Sequence, residues 1–399
     1  MFSQLFQTIN TYSERFVQFT ADVIYDRQPM RPAVRVYAAF LKGLSLIFGL
    51  AVRGRFFLYE HRLLHDRLLG CKVVVVGNIT VGGTGKTPVT EKMARVLSER
   101  GRKVAILSRG YKSRAEPLAK KFLRWLLQRE APPPRVVSDG KRLLLNSDEA
   151  GDEPYMLARN LLPLGVVVIV NRNRVESGLF ALKKIGMDTI LLDDGLQYLP
   201  LRGQINLLLV DKTNPFGNGC LLPRGILREP VSNLRRGTYV FLTKSDGTPA
   251  PELVETIRQN HPTVQIIECA HQPKVLCSPD GTKTLPLEYL NGRRVATFSG
   301  IATPERFEDF VRRYGAQILY NQRFLDHHRF SEEDLVDIFD EAAVSDAEFV
   351  VTTEKDAVRI DPARKWRLPL YYLRLEIEIL NGQDVFDSAV ARICEGVRQ

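Results

Sequence analysis

Cysteine is scarce in this chain: five residues in 399, scattered from Cys71 to Cys394, with no CxxC pair and an odd total. That count excludes a disulfide framework and fits a reduced compartment. Metal-ligand spacing is absent too, and the adjacent His327 and His328 stand too close in sequence to share one ion. No RNA- or DNA-binding motif accompanies the formal net charge of +10, so no nucleic-acid partner is expected. A cleaved signal peptide is not expected either, because the most apolar run begins only at residue 36 and lacks a small-residue cleavage site. That run, VYAAFLKGLSLIFGLAV at 36–52, would extend roughly 25 Å as a helix, short of the ~30 Å hydrocarbon core.

What is present suits a globular protein: 44% apolar and 26% charged residues, in a chain long enough for two domains. The basic excess is concentrated, with twelve Lys/Arg against three Asp/Glu between Arg102 and Arg142. Charge alone does not choose among nucleic acid, anionic lipid and a phosphorylated substrate. Within the apolar run and its flanks, Arg35, Lys42 and Arg53 are spaced by 7 and 11 residues, which sets them within about 20° of one line on a helix. A basic stripe on a Leu/Phe/Ile cylinder predicts a helix lying in a membrane interface. The alternative is a core helix whose cations reach out to solvent. Upstream, Phe2, Leu5, Ile9, Tyr12, Phe16, Phe19 and Val23 form one apolar stripe on a first helix, and core or partner packing accounts for it as well as a membrane does.

From Cys71 onward, short β-rich runs alternate with helical segments: 72–77, 103–108, 165–170, 189–194, 205–211 and 239–245 read as strands, with helices near Pro88–Arg100 and Glu153–Leu162. Near-continuous hydrophobicity predicts an α/β fold, a mostly parallel sheet with helices on both faces. A second α/β series begins near Arg293. The expected organisation is N-terminal membrane-facing helices at 1–70, a phosphate-loop core at 71–247, a connecting segment at 248–292 and a smaller C-terminal α/β lobe at 293–399. A basic insertion near 112–134, with LAKKFLRWLLQR and Trp125, reads either as a second membrane contact or as a solvated surface helix.

The chemistry centres on VVVVGNITVGGTGKTP, residues 73–88. A phosphate loop works because consecutive backbone N–H groups and a helix N-terminus face the phosphates, while Lys and Ser/Thr reach phosphate and Mg²⁺. Gly82, Gly83, Thr84, Gly85, Lys86 and Thr87 fit that pattern, but Thr80 stands where its first glycine belongs. The loop variant of membrane-positioning ATPases, with a lysine before the paired glycines, is not met, since that residue is Val81. ILLDDGLQY supplies two carboxylates at a strand end, Asp193 and Asp194, as candidate Mg²⁺ ligands. TKSD, 243–246, is close to a guanine-reading motif but lacks its Asn, and reads as a turn after a strand.

GNITVGGTGKTP, SRGY, VSDG, GDEP, DDGLQY, LPRGILREP, FSGIATPERF, LDHHRF and TTEKDAVR follow one another in the order seen in the tetraacyldisaccharide 4'-kinases, the lipid A 4'-kinases of Gram-negative bacteria. The chain resembles that family from about Arg35 to its C-terminus. The resemblance accounts for Thr80, whose variant loop is usual there. It implies transfer of the ATP γ-phosphate to the 4'-hydroxyl of a lipid disaccharide bearing four acyl chains and a 1-phosphate. It further implies Mg²⁺, and docking as a peripheral or monotopic protein on the cytoplasmic face of the inner membrane; a monomer is the expected state. By resemblance, Lys86 and Thr87 hold nucleotide and Mg²⁺, Asp194 with Asp193 the metal, Asp152 acts as base with His327 as partner, and Glu229 is a further active-site acid. Arg109, Arg224 and Arg228 would lie near phosphates. The chain departs from the family in a longer N-terminus, the basic insertion, and Tyr198 where a His is frequent. A membrane-associated nucleotide switch is the rival reading; it leaves LDHH and LREP without a purpose. A soluble small-molecule kinase would leave the N-terminal helices without one.

Overall fold

The computed structural model describes residues 18–29, 31–110, 133–326 and 328–395. The predicted helix of the basic insertion, the stripe from Phe2 to Phe16, and His327 lie outside the described residues.

Strand β1 (Lys72–Asn78) is the middle of the first half of the sheet and is almost wholly buried. Its valines divide by parity, as a strand covered on both faces requires. Val74 and Val76 face a core shared with helix α2 (Lys86–Glu99) and helix α3 (Asp152–Leu161). Val73 and Val75 face a second core, capped by residues 174–185 and the helix Pro251–Asn260. Around β1 lie β2 (Val104–Ser108), β3 (Arg135–Asp139), β4 (Val167–Val170), β5 (Thr189–Leu192), β6 (Ile205–Asp211) and β7 (Tyr239–Thr243). All neighbours in this half pair in parallel except β3, which runs against β4.

The sheet does not stop at β7. Strand β8 (Gln265–Cys277) continues it in parallel and then carries β13 (Leu370–Asn381) in antiparallel register. Through β13 the sheet runs on into β12 (Phe349–Thr353), β10 (Arg294–Ser299) and β11 (Gln317–Arg323), with β9 (Thr284–Pro286) on the side of β8. The result is one mixed, mostly parallel sheet of 13 strands with helices on both faces. The second half has its own pair of cores, built on the helices Pro304–Arg313 and Glu332–Val344. The last helix, Gln383–Cys394, folds back onto the first half, where Phe386 meets Phe241 edge to face.

Helix α1 (Pro32–Glu60) is longer than residues 36–52, starting on a proline at its first position, where no backbone donor is lost. Its inner line is Val34, Ala38, Leu41, Ser45 and Gly49, with Val23 and Phe19 of the preceding segment packed on the first three. At Ser45 the hydroxyl donates to the Leu221 carbonyl at 2.7 Å and accepts from the Arg224 amide at 3.0 Å. The opposite line, with Val36, Phe40, Leu46, Ile47 and Leu50, is more than 60% exposed at each position. Arg35, Lys42 and Arg53 are exposed between these two lines, as the stripe predicts.

Candidate active site

The loop after β1 explains its missing glycine. Residues 79–81 leave the strand still extended and are zipped to the segment 226–229: the Arg228 amide donates to Ile79 O at 2.7 Å and the Val81 amide to Ile226 O at 2.7 Å. Thr80 forms an antiparallel bridge with Leu227, is buried, and accepts from the Asn78 side-chain amide at 3.0 Å. An extended, paired position suits a β-branched residue, so glycine's freedom is not needed there. It is needed later. Gly82 and Gly85 have φ of +105° and +81°, which a side chain rarely adopts. At Gly85 the space is closed as well, because an added Cβ would lie 2.8 Å from Nε2 of His271 on β8. The Thr84 carbonyl accepts from the Thr243 hydroxyl at 2.8 Å, so the end of β7 and the middle of β8 form the floor under the loop. Burial, with Lys244 and Arg306 nearby, pushes the His271 imidazole down to about 4, which keeps it neutral against the loop.

Gly85→Ala should therefore lose about 1–3 kcal/mol of stability from backbone strain alone. It should also lose most of the thermal stabilisation conferred by Mg-ATP. His271→Ala in the same chain removes the collision but not the strained φ, so it should restore only part. Wild-type melting with a wild-type response to Mg-ATP in Gly85→Ala would contradict this geometry.

Lys86 opens α2 and reaches back over the loop, donating to Asn78 Oδ1 at 3.2 Å with Asp194 at 3.6 Å. Asp194 follows β5 in a left-handed conformation, φ +49°, in a turn pinned by Arg174, which donates to its carbonyl at 2.9 Å. Arg228 donates to both Asp194 carboxylate oxygens at 3.0 and 3.1 Å and to Gln197 Oε1 at 3.1 Å. Gln197 in turn donates to the Asn78 carbonyl and to Glu229, each at 2.9 Å. GKT, DDGLQ and LPRGILREP thus converge on one bonded network.

The two adjacent aspartates differ in environment. Burial alone would raise Asp194, but Lys86, Arg228 and Arg174 outweigh it and hold the carboxyl below the usual range. Burial pushes Asp193 up to about 7, helped by the charges of Glu153 and Asp194; its Oδ1 accepts from the Thr90 hydroxyl at 3.2 Å. Asp194 is the carboxylate presented as an anion, with Asp193 behind it.

Other predicted residues lie where sequence does not say. Glu229 is buried, its carboxylate closed by Gln197, Asn233 and Arg236. The Arg224 guanidinium is taken by the N-terminal segment, through the Val23 carbonyl and Asp26. Arg109 is exposed at the end of β2, near enough to Arg174 to act on its charge. Tyr198 accepts from the Arg174 amide at 3.1 Å. Asp152 begins α3 and meets Arg359 of TTEKDAVR, whose Nε and Nη2 both lie 3.0 Å from Oδ2. Asn78, Gln197 and Arg359 have no mark in the sequence beyond lying in a motif, and Arg174 lies outside all of them.

Among the described residues no group of three or more His, Cys, Asp or Glu could hold a metal alone. A Mg²⁺-nucleotide needs less from the protein, because phosphates and water complete the octahedron. Thr87 at the start of α2, the ionised Asp194, and the Thr84 hydroxyl, buried in the loop with no partner among the described residues, fit such a group.

A family model described as tetraacyldisaccharide-1-P 4'-kinase matches residues 37–395. A tetraacyldisaccharide 4'-kinase of Anaeromyxobacter dehalogenans (strain 2CP-C) is 42% identical over 347 residues, covering 86% of each chain. One of Geobacter metallireducens is 35% identical over 359 residues, covering 90% of this chain and 99% of the relative. Among solved structures, LpxK from Aquifex aeolicus in complex with ATP superposes with a TM-score of 0.69 at 25% identity, over 90% of this chain and 99% of that one. With the loop, the acidic turn and these matches running through nearly the whole sequence, the chain belongs to the tetraacyldisaccharide-1-P 4'-kinase family.

Proposed function

We propose that this kinase transfers the γ-phosphoryl group of ATP to the 4'-hydroxyl of a tetraacylated disaccharide 1-phosphate, at the cytoplasmic face of a bacterial inner membrane. The observation that carries the reading is the convergence of three motifs on the phosphate loop, through Lys86, Asn78, Gln197, Asp194 and Arg228. Thr87 and Asp194 would hold Mg²⁺, which would supply neutralisation of the charge that develops as the phosphoryl group moves. Gly82, Gly83 and Gly85 would let the backbone approach the phosphates, and Lys86, which reaches back over the loop to Asn78, would hold the nucleotide. Arg228, bonded to Asp194, is the cation best placed to exchange that partner for a phosphate oxygen. Glu229 acts one bond behind, through Gln197 and Arg236, as an anchor of the network. Asp152 takes the acceptor proton. The division into a kinase core and a smaller C-terminal lobe belongs to this reading, with Asp152 and Arg359 on opposite sides of it. Incubating the protein with Mg-ATP and the disaccharide 1-phosphate in detergent should yield a product heavier by one phosphate. Nucleotide turnover with no phosphorylated lipid would instead support the switch reading.

The membrane contact follows from α1. One line of the helix is held to the body while the facing line of Val36, Phe40, Leu46, Ile47 and Leu50 is exposed, so only an interface covers that side without releasing the first. Length and hydropathy alone would also allow a span, but a spanning helix would leave Ser45 and Gly49 without their partners on the 221–224 turn. Replacing Arg35, Lys42 and Arg53 by Ala should weaken partition onto anionic vesicles about fivefold per cation in low salt, and much less in high salt. Unchanged co-sedimentation of the triple variant in low salt would show that the stripe is no electrostatic anchor.

A further inference from the structure

The Arg359 side chain is 1% exposed, and its single guanidinium meets three separate motifs. Its Nε donates to Asp152 Oδ2 of GDEP at 3.0 Å. Its Nη1 donates at 3.0 Å to the backbone carbonyl of His328 in LDHH, and at 2.8 Å to Asp356 Oδ1 in its own motif. Asp356 is fully buried and is fixed on its other oxygen by the Gly300 amide at 3.0 Å and the Thr353 hydroxyl at 2.6 Å. The chain of contacts therefore runs from FSG through Asp356 and Arg359 to the carboxylate at the head of α3. Arg329, on the far side of that carboxylate, stands 3.7 Å from Oδ1.

We infer that Arg359, held by Asp356, is the positioning residue of the phosphoryl-acceptor site: it fixes the Asp152 carboxylate and the LDHH loop in one geometry across the two halves of the sheet. The inference rests on the proposed role of Asp152 as base. A planar guanidinium can bond a carboxylate edge, a carbonyl and a second carboxylate at once, whereas an ammonium on a shorter reach cannot hold all three at these angles. Asp152 and Asp356 are buried carboxylates, and Arg359 pairs with both while Arg329 stands at the other oxygen of Asp152, so removing the guanidinium would leave both carboxylates without their shared partner. Because Arg359 clamps Oδ2 of Asp152, it also sets the direction in which Oδ1 points. Displacement of the carboxylate by about 1 Å is the fault expected on loss of the clamp, and such a displacement costs up to about 100-fold in rate.

The experiment is a double-mutant cycle with Arg359→Lys, which keeps the buried charge, and Asp152→Asn. Melting curves give the folded fraction, and Asp356→Asn serves as the parallel variant should Arg359→Lys fail to fold. Arg359→Lys should lower kcat per folded molecule about 10- to 100-fold, with KM for ATP within about twofold. In the Asp152→Asn background the same substitution should change kcat less than about threefold, since nothing remains to be positioned. A kcat within twofold of wild type, or the same loss in both backgrounds, overturns the inference. Near wild-type kcat in Asp152→Asn alone overturns the proposed base itself, which separates that failure from one confined to Arg359.

Discussion

Lys86→Ala should lower kcat by about 10²- to 10³-fold at saturating ATP, the loss usual when one preorganised cation or donor is taken from a site of developing charge. The side chain is 14% exposed, its ammonium bonded to Asn78 and 3.6 Å from Asp194. Asp194 would still be paired by Arg228 after the substitution, so no buried charge is stranded. An ion pair whose carboxylate is 39% exposed contributes under about 1 kcal/mol. Melting should therefore move by only a few degrees while turnover collapses. Lys86→Arg would keep the charge but enlarge the head group in a space already occupied by Arg228, so it should recover little. Single-turnover rates with excess enzyme separate this from weakened ATP binding. Turnover of Lys86→Ala within about threefold of wild type would falsify the assignment of the loop.

The same network shows how far sequence carries. GKT and DDG are legible because each is a local pattern at a strand end, and the six predicted strands of the first half are legible because β-branched runs buried on both faces admit no alternation. Thr80 is different. Its fitness depends on residues 226–229 lying alongside as an extended partner, and no window around position 80 contains that fact. Glu229 and Arg224 carry the right chemistry for an active site, yet Glu229 is closed by Gln197, Asn233 and Arg236 and the Arg224 guanidinium is taken by Val23 and Asp26. Charge type is written in the sequence, whereas the direction a side chain faces is set by packing.

Strands β8 and β13 are the part of the fold least visible in the sequence. Residues 248–292 read as a connecting segment because Pro, Gly and polar residues gather there, and Pro273 argues against a central strand. The proline lies at a break in register, opposite Leu375 and beside the shift between Arg374 and Leu375 on the partner strand. In β13, LRLEIEIL alternates charged and apolar residues because one face of the β8–β13 ribbon is polar. That face includes Arg374, which donates to Glu91 on α2 at 2.8 Å and to Asn160 on α3 at 3.3 Å. Strand β8, in the segment that reads as a linker, pairs with β13 of the C-terminal stretch, and this antiparallel pair joins the phosphate loop's half of the sheet to the half that supplies Arg359.

Asp152→Asn should reduce kcat by about 10²- to 10⁴-fold with little change in KM for ATP. A sugar hydroxyl is a poor nucleophile until its proton is taken as the new bond forms. The carboxylate at the first turn of α3, fixed in direction by Arg359, is the group proposed to take it. A base works only when unprotonated, so kcat should fall on the acid side of the profile in the wild type and lose that limb in the variant. If Asp152 were only the head of a helix and a partner for Arg359, the asparagine would weaken packing by about 1–3 kcal/mol. Arg359 would keep Asp356, and kcat per folded molecule would not change. His327→Ala tests the partner implied by the family resemblance. Two residues acting as one unit should give a double variant little worse than the poorer single one. Fully multiplicative losses, or an acid limb unchanged apart from scale, would leave Asp152 as a structural carboxylate and return the choice of base to the groups around the phosphate loop.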